Sequence, residues 1–231
     1  MKRSAINAII RDAEDFLARM NFRLPPFAAW SPDDWRAKGP ECREIVTHQL
    51  GWDITDFGSG DYARVGLFLF TIRNGTVTAL KTGQGKTYAE KIMIVQERQI
   101  TPTHTHHQKM EDIIVRGGGA LVVQLWNSAP GGGLVQTPVT VSCDGVERQV
   151  PAGGQVTLQA GESITLPPGQ YHQFWGAPGR GPVLVGEVSR VNDDHTDNDF
   201  IDPVGRFPAI VEDESPRHLL IGDYPRFYRH A

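Results

Sequence analysis

Residues 161–172 read Gly161-Glu162-Ser163-Ile164-Thr165-Leu166-Pro167-Pro168-Gly169-Gln170-Tyr171-His172. The alternating stretch 163–166 predicts a half-buried strand, and Pro167-Pro168-Gly169 ends it sharply, because proline withdraws ladder donors and glycine accepts a tight turn. A second strand then starts and brings His172 back. Working outward, the chain offers another imidazole group upstream, His104-Thr105-His106, followed by Glu111 and Gly117-Gly118-Gly119. Side chains at i and i+2 of a strand share a face, so His104 and His106 project together, while His107 points the other way. Glu111 needs only a small turn to join them. Three imidazoles and a carboxylate suit a divalent metal that keeps open coordination positions. A lone His-x-His is more often a solvated loop, but here the complete spacing of 161–172 accompanies it and favours a metal.

The surrounding texture is that of short strands. Residues 67–73 and 76–80 flank Asn74-Gly75, which predicts a two-residue hairpin. Further strands are expected over 91–95, 113–115, 120–125, 135–142, 155–158, 163–166 and 183–188, with Asp144-Gly145 and several Gly-Pro pairs as turns. Eight or nine such strands suit a mainly β fold, a double-sheet jelly-roll barrel. Ahead of it, apolar residues from Ile6 to Met20 recur at helical spacing, with Ser4 as N-cap and Pro25-Pro26 as stop. A short second helix is expected over 31–38, then irregular chain, with Trp30, Trp35 and Trp52 as core. After Ser189 the chain turns polar, and then Phe207, Leu219, Leu220, Tyr224, Phe227 and Tyr228 can pack back on the barrel. The expected organisation is an N-terminal helical and irregular segment over 1–64, the barrel over 65–188, and an extension over 189–231 that completes the site.

Composition excludes several classes. The 231 residues carry a net charge of −4, and Lys and Arg are scattered, so no basic field for nucleic acid or anionic lipid exists. No apolar run approaches the roughly 20 residues a membrane span needs. Only Cys42 and Cys143 occur, and Asp12, Glu14 and Asp15 interrupt the first 20 residues where a signal-peptide core would be apolar. A cytoplasmic protein with a small-molecule partner is expected. Jelly rolls commonly pair through sheet edges, and the N-terminal helix could swap onto a partner, so a homodimer is expected as well.

The spacing of 161–172 matches, through its histidine, the second of two motifs of the cupin superfamily, and 104–119 resembles the first. Arg98 stands where cupins often carry glycine. The wider context resembles the D-lyxose ketol-isomerase family of cupins. That likeness rests on Glu90-Lys91, on His104-x-His106-x-x-Lys109-x-Glu111-Asp112-Ile113-Ile114, and on Arg116-Gly117-Gly118-Gly119. It extends to Val191-Asn192-Asp193-Asp194 and Gly205-Arg206-Phe207-Pro208, with Val115 in place of an amide expected in many relatives. The resemblance implies a cupin double-stranded β-helix and a Mn²⁺-dependent interconversion of free aldoses and ketoses. D-lyxose with D-xylulose, and D-mannose with D-fructose, are the implied pairs. It places the metal on His104, His106, Glu111 and His172.

Moving a carbonyl between C1 and C2 needs a base, a proton donor and stabilisation of an enediol, the last a Lewis-acid task. Glu187 is the leading base, since Val183, Val185 and Glu187 alternate on one strand face; the same pattern also fits a surface position. Lys91 precedes Ile92-Met93-Ile94-Val95, and an inward face would bury it where it can act as general acid; an exposed strand mouth fits equally well. Asp193 is an alternative base or sugar ligand on family resemblance, whereas Asp194, Asp197 and Asp199 read as a solvated loop. Lys109 can reach substrate oxygens or lie at the rim. Arg206 can clamp hydroxyls or form a salt bridge. The rival readings are a cupin dioxygenase using iron, copper or nickel in an apolar pocket, and a non-catalytic sugar-binding cupin. A sugar-phosphate substrate would need an anion cradle, and no P-loop or dense basic cluster accompanies the ligands.

Overall fold

The computed structural model describes residues 1–193, 196–205 and 209–230. The chain opens with helix α1 (Arg3–Arg19), short helices α2 (Pro32–Ala37) and α3 (Arg43–Thr47), and strands β1 (Gly51–Thr55) and β2 (Leu67–Arg73). After helix α4 (Val77–Thr82) come β3 (Tyr88–Val95), β4 (Thr101–His106), β5 (Glu111–Gly118), β6 (Leu121–Ser128), β7 (Leu134–Val135), β8 (Val139–Cys143) and β9 (Val146–Val150). Strands β10 (Gly154–Leu158), β11 (Ser163–Leu166), β12 (Gln170–Gly176), β13 (Val183–Arg190) and β14 (Asn198–Phe200) follow, and α5 (Tyr224–Phe227) closes the chain. The strands form two antiparallel sheets, one in the order β1-β2-β3-β13-β5-β11-β8-β9 and one in the order β10-β6-β12-β4-β14, with β7 on β6. This is a mainly β, cupin-type jelly roll with an N-terminal helix.

Strand β3 shows why the layers stack as they do. Met93 and Val95 point inward and pack between the sheets with Leu69, Ile113 and Phe174. Ile92 and Ile94 point outward and would be wet, but Ile6, Ile10 and Phe16 of α1 cover them. Each such buried side chain contributes roughly 1.5–3 kcal/mol, so packing rather than propensity holds α1 in place. No helix among the described residues is long and apolar enough to cross a membrane.

Four expectations change. Ser4 does not cap α1: the N-cap is Lys2, and Ser4 instead bonds Asp213 through its backbone N–H (2.9 Å) and hydroxyl (2.7 Å). The remote carboxylate serves the orphan donor that a local cap would have served. Asn74-Gly75 makes no hairpin, because a type I′ turn needs positive φ at both residues and neither has it. Thr76 instead N-caps α4, accepting from the Ala79 N–H at 3.1 Å. The 135–142 stretch is two strands, β7 and β8, broken ahead of Val139 where Thr137-Pro138 intervenes. Finally, β1 lies inside the N-terminal stretch expected to be helical and irregular, and pairs with β2 from Gly51↔Thr71 to Thr55↔Leu67.

Candidate active site

The two sheets contribute different chemistry to one end of the barrel interior. The sheet of β4 and β12 supplies imidazoles: His104 and His172 are direct cross-strand partners, and His106 lies two residues along. The sheet of β3, β5 and β13 supplies charge: Lys91, Glu111 and Glu187 all face inward and are buried. The Pro-Pro-Gly turn between β11 and β12 thus does what its sequence requires. It ends one strand and starts, in the other sheet, the strand that carries His172.

One ring nitrogen from each of His104, His106 and His172 lies within 4.8 Å of the others. Glu111 Oε1 sits 3.1 Å from His172 Nε2 and 3.5 Å from His106 Nε2. His104 Nδ1 faces the Pro102 carbonyl at 2.8 Å and His172 Nδ1 faces the Gln170 carbonyl at 3.1 Å, which directs each Nε2 inward as the lone-pair nitrogen. Both ring nitrogens of His106 and Nε2 of His172 are buried without a hydrogen-bond partner. Leaving a buried polar group unsatisfied costs about 1–3 kcal/mol, and a cation bound by His172 Nε2 and one ring nitrogen of His106 removes that cost at those two atoms. The donor set therefore fits a divalent metal. Burial holds His104 well below the usual imidazole pKa, helped by His172 and His106, and burial with Lys109 lowers His106. Both rings stay neutral, as ligands must.

Beside this group lies a chain of opposite charges. Lys109 Nζ is 2.7 Å from Glu111 Oε2 and 3.1 Å from Glu187 Oε1, bridging the two carboxylates. Lys91 Nζ lies 3.5 Å from Glu187 Oε1 on the far side and donates to Asn192 Oδ1 at 2.6 Å. Ser189, two residues along β13, donates to Glu187 Oε1 at 2.9 Å. Burial alone would raise both carboxyl groups. Lys109 leads the attractions that outweigh it at Glu111, and Lys109 and Lys91 outweigh it at Glu187, so both are held below the usual range and stay ionised. The cavity beside them opens to solvent and is lined by Lys91, Lys109 and Glu187 together with the apolar side chains of Phe57, Met93 and Phe200.

The structure brings together seven of the residues singled out from sequence: His104, His106, His172, Glu111, Lys91, Lys109 and Glu187. His107 lies past the end of β4 and is exposed. Asp193 is turned away: its carboxylate accepts from the Thr196 hydroxyl at 2.6 Å and from the Thr196 N–H at 3.3 Å, outside the cavity. Arg206 lies outside the described residues, as do Asp194 and Phe207. Asp197, read as part of a solvated loop, is buried and accepts from the Gln108 and Lys109 N–H groups at 2.7 and 3.0 Å, fixing the turn that carries Lys109. Asp199 accepts from the Tyr171 hydroxyl at 2.8 Å. Phe200, missed from sequence, stacks on His104 with ring centroids 5.2 Å apart. Ser189 was legible by its i+2 spacing from Glu187, and Asn192 stands in the 191–194 stretch that carries the family likeness; Phe200 carried no comparable signal.

Inward histidines beside a carboxylate, at the mouth of a two-sheet barrel of this topology, define a cupin-type centre. A family model described as D-lyxose isomerase matches residues 1–224. D-lyxose/D-mannose isomerases of Serratia proteamaculans and Escherichia coli O157:H7 are 49% and 46% identical to the chain, each over 98% of its length and 99–100% of their own. The chain belongs to the D-lyxose isomerase family, and is an aldose–ketose isomerase. The L-ribose isomerases of Acinetobacter sp. DL28 and Cellulomonas parahominis, both solved with L-ribose, share its fold, with TM-scores of 0.61 and 0.57 at 19% and 18% identity. Each comparison covers 91% of this chain and 98% of the other.

Proposed function

We propose that the protein interconverts D-lyxose with D-xylulose, and D-mannose with D-fructose, as free sugars, with Mn²⁺ held by His104, His106, Glu111 and His172. The observation that carries this reading is the juxtaposition of unpartnered histidine nitrogens with the ionised, lysine-flanked Glu187. A divalent metal bound there supplies Lewis acidity toward the oxygen charge that develops during reaction. Glu187 takes the proton from C2 of the aldose while Lys91 gives one to O1, leaving an enediol. Protonated Glu187 then returns its proton to C1 as the hydroxyl on C2 gives its proton to Lys91, so the ketose forms and both side chains are restored. Lys109 holds the carboxylates of Glu111 and Glu187 in fixed places through both steps. The mixed wall of the cavity favours a sugar over the apolar substrate of a dioxygenase. Arg206 as a hydroxyl clamp, a homodimeric assembly and a cytoplasmic setting complete the reading.

The test is ketose formation from D-lyxose and D-mannose by metal-stripped protein, with Mn²⁺ restored, beside a His104→Ala, His106→Ala double variant. Turnover that requires both the metal and the histidines is expected. Tight stoichiometric metal binding without turnover would sink the isomerase reading for these sugars and favour a dioxygenase or a binding cupin.

A further inference from the structure

Asn74 is buried at the end of β2, outside the cavity, and its carboxamide is used at both ends. Oδ1 accepts the Asn192 backbone N–H at 3.0 Å, and Nδ2 donates to the Asn192 carbonyl at 3.0 Å and to the His48 carbonyl at 3.3 Å. One side chain thereby grips both backbone polar groups of a residue 118 positions away. Asn192 in turn accepts from Lys91 Nζ. The sheet explains the arrangement. Lys91 on β3 pairs with Thr71 of β2 on one side and with Glu187 of β13 on the other. Strands β2 and β13 leave the sheet at Arg73 and Arg190, and the Asn74–Asn192 tie joins them just beyond, over the end of β3.

We propose that Asn74 is a positioning residue for the isomerisation: by fixing the backbone of Asn192 it sets where Asn192 holds the Lys91 ammonium. This rests on the assignment of Lys91 to proton transfer made above. Lys91 has a long flexible side chain, and without the amide oxygen at 2.6 Å its position would depend on the looser 3.5 Å approach to Glu187. A misplacement of about 1 Å at a reacting group costs on the order of 10²-fold in rate. No other side chain reproduces the grip. Aspartate has the same size and keeps the acceptor, but turns the donor facing two carbonyls into a carboxylate oxygen.

The experiment is a cycle of Asn74→Asp, Asn192→Ala and Lys91→Met, singly and in pairs, on Mn²⁺-loaded enzyme with D-lyxose, with metal content and Tm read for every variant. Asn74→Asp and Asn192→Ala are each expected to lower kcat on the order of 10- to 100-fold, with KM nearly unchanged and full metal content. Their double variant should fall no further than the worse single, and Asn74→Asp should cost nothing in the Lys91→Met background, because residues acting through one group are not additive. Independent, multiplying losses would overturn the proposal, as would an Asn74→Asp enzyme with unaltered kcat. If Asn74→Asp does not fold, Asn74→Ser replaces it, and failure of both to fold would overturn the positioning role in favour of a folding one. Full activity in Lys91→Met would instead remove the assignment of Lys91, a failure distinct from that of Asn74.

Discussion

Arg3 and Lys109 are both buried cations set between two carboxylates, yet their surroundings are completed differently. Arg3 donates from Nε and Nη2 to both oxygens of Glu212, and from Nη1 and Nη2 to both oxygens of Asp223, all at 2.7–2.9 Å. Burial opposes its charge, and these bonds outweigh burial and raise its pKa. Around it, Ser4 bonds Asp213, Asn7 bonds Glu214 and the Arg217 N–H, and Glu14 faces His218. Near Lys109, by contrast, three buried histidine nitrogens make no hydrogen bond. The first group fastens the two ends of the chain together and leaves its strongest ion pairs saturated. The second is left open toward a ligand, and that difference, rather than burial or charge, marks the site.

Variants at the two groups should separate activity from stability. The largest effect is expected at the histidines: His104→Ala with His106→Ala should lower kcat/KM on the order of 10³-fold and abolish stoichiometric Mn²⁺ binding, read by metal analysis, with the fold retained. Glu187→Gln keeps the volume and removes the proposed base, so kcat should fall by roughly 10²–10⁴-fold while the metal stays bound; an active Glu187→Gln enzyme would remove Glu187 from the mechanism. At the other group, Arg3→Ala leaves the buried carboxylate of Asp223 without its cation, while Glu212 keeps Arg226, and should cost about 3–5 kcal/mol of stability, measured by denaturant unfolding, with the folded fraction still active per bound metal.

The smallest effect concerns pH. The hydrogen bond from Arg3 pulls Glu212 down to about 2 against a usual 4.5, outweighing burial and aided by Arg226. A carboxyl group with a lowered folded-state pKa stabilises the fold fully above its unfolded value and loses that contribution as pH falls toward the folded one. The Tm advantage of the wild type over Glu212→Gln should therefore be constant above about pH 5 and shrink as pH falls from 4.5 toward 2. An advantage that persisted unchanged at pH 2 would contradict this pairing.

Two Asx-Gly dipeptides show how far local reading reaches. Asp144-Gly145 has φ of 52° and 80° and joins β8 to β9 as a tight turn, as its sequence suggests. Asn74-Gly75 carries the same local signal and makes no turn of that kind. Its asparagine is drawn into a tie with Asn192, and a Cβ at residue 75 would run into the Lys86 carbonyl. The difference lies in contacts with remote residues, which no window of sequence contains. The same applies to Asp197: among neighbouring aspartates it reads as solvated, and only the pairing of β14 with β4 brings it under the backbone of Gln108 and Lys109.

By itself the sequence determined the strand texture, the helix over the N-terminus, the turn that returns His172, and the inward face shared by His104 and His106, because alternation and turn chemistry are local properties of the chain. Tertiary structure alone decided which charges meet. Lys91 and Glu187 become neighbours through the β3–β13 register, and Lys109 bridges Glu111 and Glu187 because three strands converge on one end of the barrel. Distances of a few ångströms between groups far apart in sequence follow from register and packing, and those are fixed only when the whole core closes.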